Sequence, residues 1–435
     1  MISDKITSGI NGEILIPGDK SISHRSIIIP SISNGISEIN NILMSDDVLH
    51  TLDAFRALGV KILNKNNKIL VYGKGLNSLT KSKQDLYLGN SGTSARLLTG
   101  LLSTQSFDTI IRGDKSLSSR PMERIINPLK LMGAKFESKS GKLPLKILGN
   151  KLTNSKIQID IPSAQIKSGL ILAAINTEGK STIIEKNITR NHTENILKAF
   201  GADLEIEKKG THTSIFVRGG KELKSINIDV PSDLSSSSFF IVAALINKGS
   251  KINIKNININ PTRDGILTAL KKMGGDISIR NKREKSGEIV ADLEVKYSEL
   301  NGCELDKDMA KLMIDEYPIL SIAAAFAKSP SIFRGLSELR VKESDRLELI
   351  RLNLNKCGCE CKIKNDDLFI NPSKTLKIVD KNIKTDFDHR IAMSFAVMAS
   401  KIGNLQINDS ESINTSFPNF LEIFNKAGGN LFWKK

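Results

Sequence analysis

The chain has 435 residues, of which 40% are hydrophobic and 25% are charged, and its formal net charge is +16. This length exceeds what one hydrophobic core usually serves, so we expect two or more domains. No apolar run approaches the roughly 18 residues of a membrane span, and the first residues resemble neither a signal peptide nor a transit peptide. We therefore expect a cytoplasmic protein without a membrane partner.

The positive charge has two explanations. An anionic partner, such as nucleic acid, a membrane surface or a multiply charged small substrate, would favour it. However, the lysines are scattered, and no basic run is interleaved with aromatic residues for base stacking. We attribute most of the excess to composition and expect function to depend on a few placed Arg and Lys residues.

A helical apolar pattern that ends at a glycine and is followed by an alternating, strand-like run occurs six times. The spacings between successive glycines are 74, 68, 73, 84 and 70 residues. Glycine is favoured at a helix C-terminus because it adopts the left-handed conformation without strain. The six glycines are Gly59, Gly133, Gly201, Gly274, Gly358 and Gly428. The pattern predicts six repeats of about 70 residues.

The repeats also contain an earlier helix with a polar first turn and a small, aliphatic remainder. The clearest sequences are NSGTSARLLTGLLS, PSAQIKSGLILAAI, PSDLSSSSFFIVAALI, DEYPILSIAAAFA and FDHRIAMSFAVMAS. Their apolar composition predicts burial. Two helices per repeat, alternating with strands, indicate a mixed α/β protein of two lobes with three repeats each.

Polar helix starts can bind phosphate or carboxylate groups through free N–H groups and the positive end of the helix dipole. The motif GDKSISHR at residues 18–25 is predicted to open a helix with Ser21 and Arg25 on one face. GDKSLSSR repeats six of its eight letters. Because Pro121 follows that copy, we predict a loop that presents Arg120.

Three further segments place charged or polar residues near helix starts. NSGTSAR contains Asn90 and Gly92, and FDHR contains Asp388, His389 and Arg390. RVKESDRL is predicted to place Lys342 and Arg346 on one helix face beside Glu343, although a solvated charged turn is the alternative. The arginines that could hold two anionic substrates with paired hydrogen bonds are Arg25, Arg120, Arg346 and Arg390.

Asp315, in MIDEYPIL, precedes an apolar helix and is the candidate base, since cations and burial can tune a carboxylate for proton transfer. The alternating Cys357, Cys359 and Cys361 would share one strand face, which is not the spacing of zinc sites. We expect packing or surface thiols there. The residues alone indicate an enzyme acting on phosphorylated acids, without a metal or nucleotide motif.

Together these motifs resemble the 5-enolpyruvylshikimate-3-phosphate synthase family over essentially the whole chain. The segments that carry the resemblance are PGDKSISHRS, GNSGTSARLLTG, SLSSRPM, PSAQ, DEYP, LRVKESDRL, DHRIAMSF and TSFP, in the family's order. PSAQ, ITRNHTE and DEYP are similar to the class II branch, which includes glyphosate-tolerant members.

The resemblance implies a two-domain α/β fold, an inside-out α/β barrel of six βαβαββ units, three per domain. The chain would cross between the domains near Gly18 and near Pro231–Ser236. One domain would comprise residues 18–232 and the other, discontinuous, residues 1–17 and 233–435. The active site would lie in the cleft between them, which closes around substrate.

The implied reaction joins phosphoenolpyruvate to shikimate 3-phosphate by addition and elimination. Asp315 would accept the proton of the 5-hydroxyl group, and Glu343, with Lys20, would carry the proton at C3. Residues implied to bind shikimate 3-phosphate are Lys20, Ser21, Arg25, Ser163, Ala164, Gln165, Arg190, Asp315 and Lys342. Residues implied to bind phosphoenolpyruvate are Lys20, Asn90, Gly92, Arg120, Gln165, Arg346 and Arg390. The resemblance implies no metal, no cofactor and a monomer.

Three positions depart from the family pattern. Thr415 stands where many class I members have a lysine, and Asn191 replaces the usual aspartate in ITRNHTE. Gly92 is a glycine where tolerant class II members can carry alanine. We therefore expect glyphosate, which resembles phosphoenolpyruvate, to fit.

Two rival functions remain at this stage. UDP-N-acetylglucosamine enolpyruvyl transferase shares the fold and the cosubstrate, but it relies on a cysteine in its first domain, and here no cysteine precedes Cys303. A nucleic-acid-binding protein would exploit the net charge, show a steep dependence on salt and lack turnover.

Overall fold

The strands and helices follow the repeats in chain order. The computed structural model describes residues 1–433 apart from residues 67, 211 and 374. Residues 1–17 form β1 (Ile2–Ser3) and β2 (Asn11–Ile14). Residues 18–231 form α1 (Lys20–Ser31), β3 (Asn34–Asn40), α2 (Asp46–Ala57), β4 (Lys61–Lys65), β5 (Lys68–Lys74), β6 (Leu86–Tyr87), α3 (Gly92–Leu102), β7 (Thr109–Arg112), α4 (Lys115–Ser119), α5 (Glu123–Lys130), β8 (Lys135–Ser138), β9 (Leu145–Leu148), β10 (Lys156–Ile159), α6 (Ala164–Ile175), β11 (Gly179–Glu185), α7 (His192–Ala199), β12 (Asp203–Lys209), β13 (His212–Gly219) and β14 (Ile228–Asp229).

The remaining residues continue the same alternation. They form α8 (Leu234–Ile246), β15 (Lys251–Asn258), α9 (Gly265–Lys272), β16 (Asp276–Lys285), β17 (Glu288–Lys296), β18 (Glu304–Leu305), α10 (Lys307–Met313), α11 (Tyr317–Ala325), β19 (Ser331–Phe333), α12 (Arg346–Lys356), β20 (Glu360–Lys364), β21 (Asp367–Asn371), β22 (Asn382–Ile383), α13 (His389–Ile402), β23 (Leu405–Ile407), α14 (Phe420–Lys426) and β24 (Leu431–Phe432). Short 3-10 helices cover Ile314–Glu316, Ser337–Val341 and Ser410–Thr415.

The described strands form six four-stranded sheets that share one topology. In each sheet a short edge strand runs parallel to the second strand, and the third strand runs antiparallel to the second. The strand orders are β14-β3-β5-β4, β6-β7-β9-β8, β10-β11-β13-β12, β2-β15-β17-β16, β18-β19-β21-β20 and β22-β23-β1-β24. Six repeats of mixed α/β structure, as predicted, are therefore confirmed. The described strands thus form separate four-stranded sheets and not one closed barrel.

The chain forms two compact units, each with its own aliphatic core. The 18–231 unit contains Gly18–Pro231 and, from a distant part of the sequence, Glu284–Glu288. The 232–433 unit contains Met1–Pro17, Ser232–Arg283 and residues 289–433. The first and fourth repeats take their edge strands from remote chain segments, β14 and β2 respectively.

Two details of the expected boundaries are wrong. Ser232 lies with the 232–433 unit because its N–H donates to the carbonyl of Asn256 (2.9 Å). The turn between β16 and β17 lies with the 18–231 unit because Glu288 pairs with His192 (2.9 Å) and Lys285 with Asp229 (2.5 Å). The tip of a hairpin has no periodic pattern of its own. The periodicity of the sequence therefore does not predict that Glu284–Glu288 belongs to the 18–231 unit.

The six repeat glycines confirm the predicted helix ends. Each has a positive φ, from 83° at Gly358 to 107° at Gly428. The five apolar helices predicted in the repeats also form, as α3, α6, α8, α11 and α13, and they are largely buried. No helix among the described residues is both long and apolar enough to cross a bilayer.

Two local predictions need correction. The second copy of the repeated motif is not a loop, because Asp114 accepts a hydrogen bond from Leu117 N (2.7 Å) and caps the short helix α4. Arg120 is extended, as the following Pro121 requires. Lys342 does not share a helix with Arg346, because α12 begins only at Arg346. In both cases a capping aspartate, Asp114 for α4 and Asp345 for α12, fixes where the helix begins.

Candidate functional site

The first residues of α1 carry a lysine that is held by an acidic partner. Asp19 caps the helix by accepting a hydrogen bond from Ile22 N (2.8 Å). Lys20 follows at once, and its Nζ lies 3.1 Å from Oδ2 of Asp47. The Lys20 side chain is 19% exposed. An ammonium group in this position is oriented and still reachable by an anion.

Arg25 is buried one turn further along α1 and is fixed by three hydrogen bonds. Its Nε donates to Oγ1 of Thr193 on α7 (2.6 Å), and its Nη2 donates to Oγ of Ser168 on α6 (2.7 Å). Its Nη1 donates to the carbonyl of Ser21 (2.7 Å). Burial lowers the pKa of Arg25 to about 10, so the guanidinium stays charged at neutral pH. The predicted pairing of Ser21 and Arg25 on one helix face is confirmed.

The start of α3 is the second polar helix start of this unit. Ser91 caps α3, and the preceding Asn90 donates its amide to Oδ2 of Asp114 (2.7 Å). Arg120 donates from Nη2 to Oδ1 of Asn90 and from Nη1 to the Asn90 carbonyl (3.4 Å). The Nε of Arg120 is buried without a partner among the described residues. The guanidinium therefore keeps donor capacity at this helix start.

Gly92 leaves room for two guanidinium groups. A Cβ atom added there would lie 2.7 Å from Nη1 of Arg96 and 3.2 Å from Nη1 of Arg120. Arg96 also donates to Oε1 of Gln165 (2.9 Å), whose own amide donates to Oγ1 of Thr93 (3.1 Å). Sequence reasoning assigned no role to Arg96, although it stands in the quoted motif NSGTSAR. Its position one turn after Gly92 was the available signal.

The start of α6 completes the arrangement in the 18–231 unit. Ser163 caps α6, accepting from Ile166 N (3.4 Å), and Ala164 is its first residue. Arg190 lies half-buried before α7, close enough for its charge to add to the effect of burial in lowering the pKa of Arg25. We call the following set the first cluster. It comprises Lys20, Ser21, Arg25, Asn90, Gly92, Arg120, Ser163, Ala164, Gln165 and Arg190.

A second cluster of predicted residues surrounds Asp315 in the 232–433 unit. It comprises Asp315, Lys342, Glu343, Arg346 and Arg390. Oδ1 of Asp315 lies 3.2 Å from Nη1 of Arg346 and 3.7 Å from Nζ of Lys342. The Asp315 side chain is 16% exposed. The Asp315 carboxylate is thus held by two cations and stays partly open to solvent.

Arg346 is fully buried and is surrounded by carboxylates. Its Nε donates to Oδ2 of Asp388 (2.8 Å), and its Nη2 lies 2.6 Å from Oε2 of Glu343. Burial alone would lower the pKa of this guanidinium, but the carboxylates of Asp388, Glu343 and Asp315 raise it above its ordinary value. Arg346 thus orients both carboxylates predicted to transfer protons. Asp388 was noted in the sequence, but its bond to Arg346 was not foreseen.

Arg390 stands at the start of α13 and reaches back to the Asp315 segment. Its backbone N–H donates to Oδ1 of the capping Asp388 (2.9 Å). Its Nη1 donates to the main-chain carbonyl of Asp315 (3.2 Å) and lies 3.7 Å from Oε1 of Glu316. All five residues of the second cluster are therefore connected by these contacts.

Comparison with known proteins shows which family this chain resembles. The family model described as EPSP synthase (3-phosphoshikimate 1-carboxyvinyltransferase) matches residues 5–424. The chain belongs to the EPSP synthase family. The expected family, two-domain α/β fold and enzyme class are thereby confirmed.

Individual relatives match nearly the whole chain. It is 44% identical to 3-phosphoshikimate 1-carboxyvinyltransferase of Vesicomyosocius okutanii, over 98% of this chain and 97% of that protein. It is 43% identical to the protein of that name from Ruthia magnifica, over 98% of each. The structure of EPSP synthase from Acinetobacter baumannii matches with a TM-score of 0.87 at 40% identity, over 98% of each chain. The enolpyruvyl transferase NikO from Streptomyces tendae, at 16% identity, a TM-score of 0.77 and coverage of 99% of this chain and 97% of its own, shares the fold.

The positions that depart from the family pattern have defined surroundings. Thr415 ends the 3-10 helix Ser410–Thr415 and donates from Oγ1 to the carbonyl of Ser412 (2.8 Å). The same hydroxyl lies 3.4 Å from Nδ1 of His389. Asn191 directly precedes α7. Position 415 therefore presents a neutral hydroxyl group beside His389.

The cysteines are packing residues. Cys357 and Cys359 precede β20 and only Cys361 lies in it, so the prediction of one shared strand face is wrong. The turn at Gly358 ends the helix and displaces the alternation. Cys303 and these three residues are buried. Among the described residues no group of three or more His, Cys, Asp or Glu side chains could hold a metal ion.

The burial of these thiols predicts slow reaction with disulfide reagents. It raises the pKa of Cys357 and of Cys359 to about 12, so almost no thiolate forms near neutral pH. We expect a disulfide reagent such as Ellman's reagent to modify none of the cysteines rapidly in the native protein at about pH 8. All four should react after denaturation, which serves as the control. Rapid modification of the native protein would contradict the buried placement.

Proposed function

We propose that this chain transfers the enolpyruvyl group of phosphoenolpyruvate to the 5-hydroxyl group of shikimate 3-phosphate, giving 5-enolpyruvylshikimate 3-phosphate and phosphate. Membership of a family named for this transfer supports the proposal. The observation that carries it is the carboxylate of Asp315, held by Arg346 and Lys342 beside the guanidinium of Arg390. This arrangement combines a proton acceptor with groups that bind anions.

The first cluster supplies most of the proposed contacts to shikimate 3-phosphate. Arg25, Lys20 and Arg190 offer positive charge near the N-termini of α1 and α6, which suits a phosphate dianion. Two unit charges about 4 Å apart attract by about 1 kcal/mol in water, but by about 4 kcal/mol at an effective dielectric constant of 20. The setting of these cations, of which Arg25 is buried and Lys20 and Arg190 are half-buried, therefore favours a doubly charged ligand. The full set is Lys20, Ser21, Arg25, Ser163, Ala164, Gln165 and Arg190, with Asp315 and Lys342 from the second cluster.

Phosphoenolpyruvate is assigned to the arginines of both clusters. The proposed contacts are Lys20, Asn90, Gly92, Arg120, Gln165, Arg346 and Arg390. In this structure Arg346 is engaged by Asp315 and Glu343. A bound carboxylate or phosphate would compete with Glu343 for the guanidinium. Binding of phosphoenolpyruvate would thus free Glu343 to carry a proton.

The proposed chemistry has two balanced steps. In the first, the oxygen of the 5-hydroxyl attacks C2 of phosphoenolpyruvate while its proton goes to Asp315, and C3 receives a proton from Glu343, assisted by Lys20. In the second, C3 returns that proton and the bond from C2 to the phosphate oxygen breaks. Overall, the proton of the 5-hydroxyl leaves with phosphate. Asp315 and Glu343 share Arg346 as a partner.

Turnover by the purified protein tests the proposal. With phosphoenolpyruvate and shikimate 3-phosphate we expect phosphate release and a new enol ether at C5, detected by NMR spectroscopy. Replacing the acceptor with UDP-N-acetylglucosamine should abolish release. Turnover with that acceptor alone would favour the rival transferase, whereas no turnover together with salt-sensitive DNA binding would favour a nucleic-acid-binding protein.

We also propose that the protein works in the cytoplasm as a monomer that binds neither nucleic acid nor membranes. The reasoning is that the placed cations are all assigned to two small anionic substrates within one chain. Light scattering should then give a mass near 47.8 kDa. A stable dimer would contradict the monomer.

Glyphosate should inhibit the enzyme, and the variant Gly92→Ala should be less sensitive. The added Cβ would meet Nη1 of Arg96 at 2.7 Å and Nη1 of Arg120 at 3.2 Å, so both guanidinium groups must shift. Because these are the flexible ends of side chains, the variant should still fold. We expect the inhibition constant for glyphosate to rise about tenfold or more, the KM for phosphoenolpyruvate to rise less, and the KM for shikimate 3-phosphate to stay unchanged. Turnover of the wild type unaffected by high glyphosate would contradict the expectation.

A further inference from the structure

Glu316 is a buried carboxylate beside the proposed catalytic base, and the proposed reaction gives it no role. It ends the 3-10 helix Ile314–Glu316, directly before α11, and only 1% of its surface is exposed. Burying a charged carboxylate is costly unless cations or hydrogen-bond donors surround it. The donors and cations around Glu316 should therefore show how its charge is stabilised.

Glu316 links two arginines through one oxygen atom. Its Oε1 accepts a hydrogen bond from Oγ of Ser235 and lies 3.7 Å from Nη1 of Arg390. Ser235 in turn accepts a hydrogen bond from Nη2 of Arg263, which is paired with Asp233 (3.2 Å). The other oxygen, Oε2, is buried without a hydrogen-bond partner among the described residues.

The network ties together the starts of three central helices of the 232–433 unit. Ser235 is at the start of α8, Glu316 precedes α11 and Arg390 is at the start of α13. These helices pack against one another. Each is the buried apolar helix of its repeat. A side-chain bridge between equivalent helix starts fixes their polar groups relative to one another.

Two neighbouring residues, Asp315 and Glu316, restrain the guanidinium of Arg390. Its Nη1 donates to the main-chain carbonyl of Asp315 (3.2 Å), and the Glu316 carboxylate faces the same nitrogen. A free arginine side chain loses considerable rotamer entropy when it binds a ligand. Restraining it beforehand lowers that cost. The network also contains two cations and two carboxylates, so its formal charges balance.

We propose that Glu316 is a positioning residue for enolpyruvyl transfer, which holds the Arg390 guanidinium in the orientation that binds phosphoenolpyruvate. The inference rests on the proposed function of Arg390. A role in charge balance alone makes the opposite prediction, because removing a negative charge beside Arg390 would tighten the binding of an anion. Loss of Glu316 should therefore raise the KM for phosphoenolpyruvate if the residue positions Arg390, and lower it if the residue only balances charge.

The test compares Glu316→Gln with the wild type in steady-state kinetics. We expect the KM for phosphoenolpyruvate to rise roughly tenfold, as for loss of a charged contact, while the KM for shikimate 3-phosphate stays within about twofold. In an Arg390→Lys background, Glu316→Gln should raise the KM for phosphoenolpyruvate much less, because lysine has no planar guanidinium group for Glu316 to orient. Glu299→Gln, which removes an exposed carboxylate paired with Lys328, is the matched control and should change neither KM.

The outcomes separate the inference from the proposed function. An unchanged or lower KM for phosphoenolpyruvate in an active Glu316→Gln variant, or an equal rise for both substrates, would overturn the positioning role alone. Absence of turnover in the wild type would overturn the proposed function and this inference with it. If Glu316→Gln fails to fold, Ser235→Ala, which removes only the bridging hydroxyl, should raise the KM for phosphoenolpyruvate about threefold. No change there would overturn the inference.

Discussion

Replacing Asp315 with asparagine should lower kcat by about 10²–10⁴-fold, the usual contribution of a general base. Asparagine has nearly the same shape, so neighbouring side chains can remain in place. It cannot accept the proton of the 5-hydroxyl group, because its amide is not basic. The KM for each substrate should therefore change only a few-fold. Steady-state kinetics with both substrates, together with the dissociation constant of shikimate 3-phosphate from calorimetry, would measure this separation.

The matched control is Asp308→Asn in the preceding helix α10. Asp308 is exposed and pairs with Lys311 (2.6 Å), three residues away, and surface pairs of this kind contribute little. Its kcat should equal that of the wild type. If Asp315→Asn keeps normal turnover, Asp315 is not the base. If it loses binding of shikimate 3-phosphate instead, the carboxylate serves in recognition.

Replacing Arg346 with methionine should lower the free energy of unfolding by about 3–5 kcal/mol, the usual cost of leaving buried charges without a partner. Asp388 is fully buried and would lose the donor at 2.8 Å, and Asp315 and Glu343 would lose their shared cation. Methionine fills much of the volume, so lost packing accounts for little of the effect. Urea denaturation of both proteins would measure the difference.

Arg351→Met is the control on the same helix, α12. Arg351 pairs with Glu348 near the surface, so its loss should cost at most about 1 kcal/mol. An effect of Arg346→Met no larger than that of Arg351→Met would contradict the proposed charge cluster.

The destabilisation of Arg346→Met should depend on pH. Without the guanidinium, the stranded carboxyls favour the neutral, protonated form in the folded variant, because burial disfavours a charge that has no partner. The folded variant then binds more protons than the unfolded chain, so its stability falls as pH rises. The difference from the wild type should therefore be larger at about pH 8 than at about pH 5. A difference that does not change with pH would show that charge is not its cause.

Much of the fold could be predicted because its signals are local and repeated. Gly59 and the five equivalent glycines mark helix ends by their conformational freedom, and the apolar composition of α6 and α8 marks them as buried. The failures are also local. Capping by Asp114 turned a predicted loop into α4, and the late start of α12 separated Lys342 from Arg346. Each depends on one side-chain hydrogen bond, which composition and spacing do not specify.

The sequence by itself determined the family, the six repeats and the types of residue at the helix starts, because these follow from composition, periodicity and motif order. Only the tertiary structure decided which distant side chains contact one another. Arg346 meets Asp388, and Glu316 meets Ser235, 81 residues away in the chain. It also decided that Glu284–Glu288 lies with the 18–231 unit. Contacts between distant residues depend on how helices and strands pack, and charged side chains can be buried only where that packing brings opposite charges together.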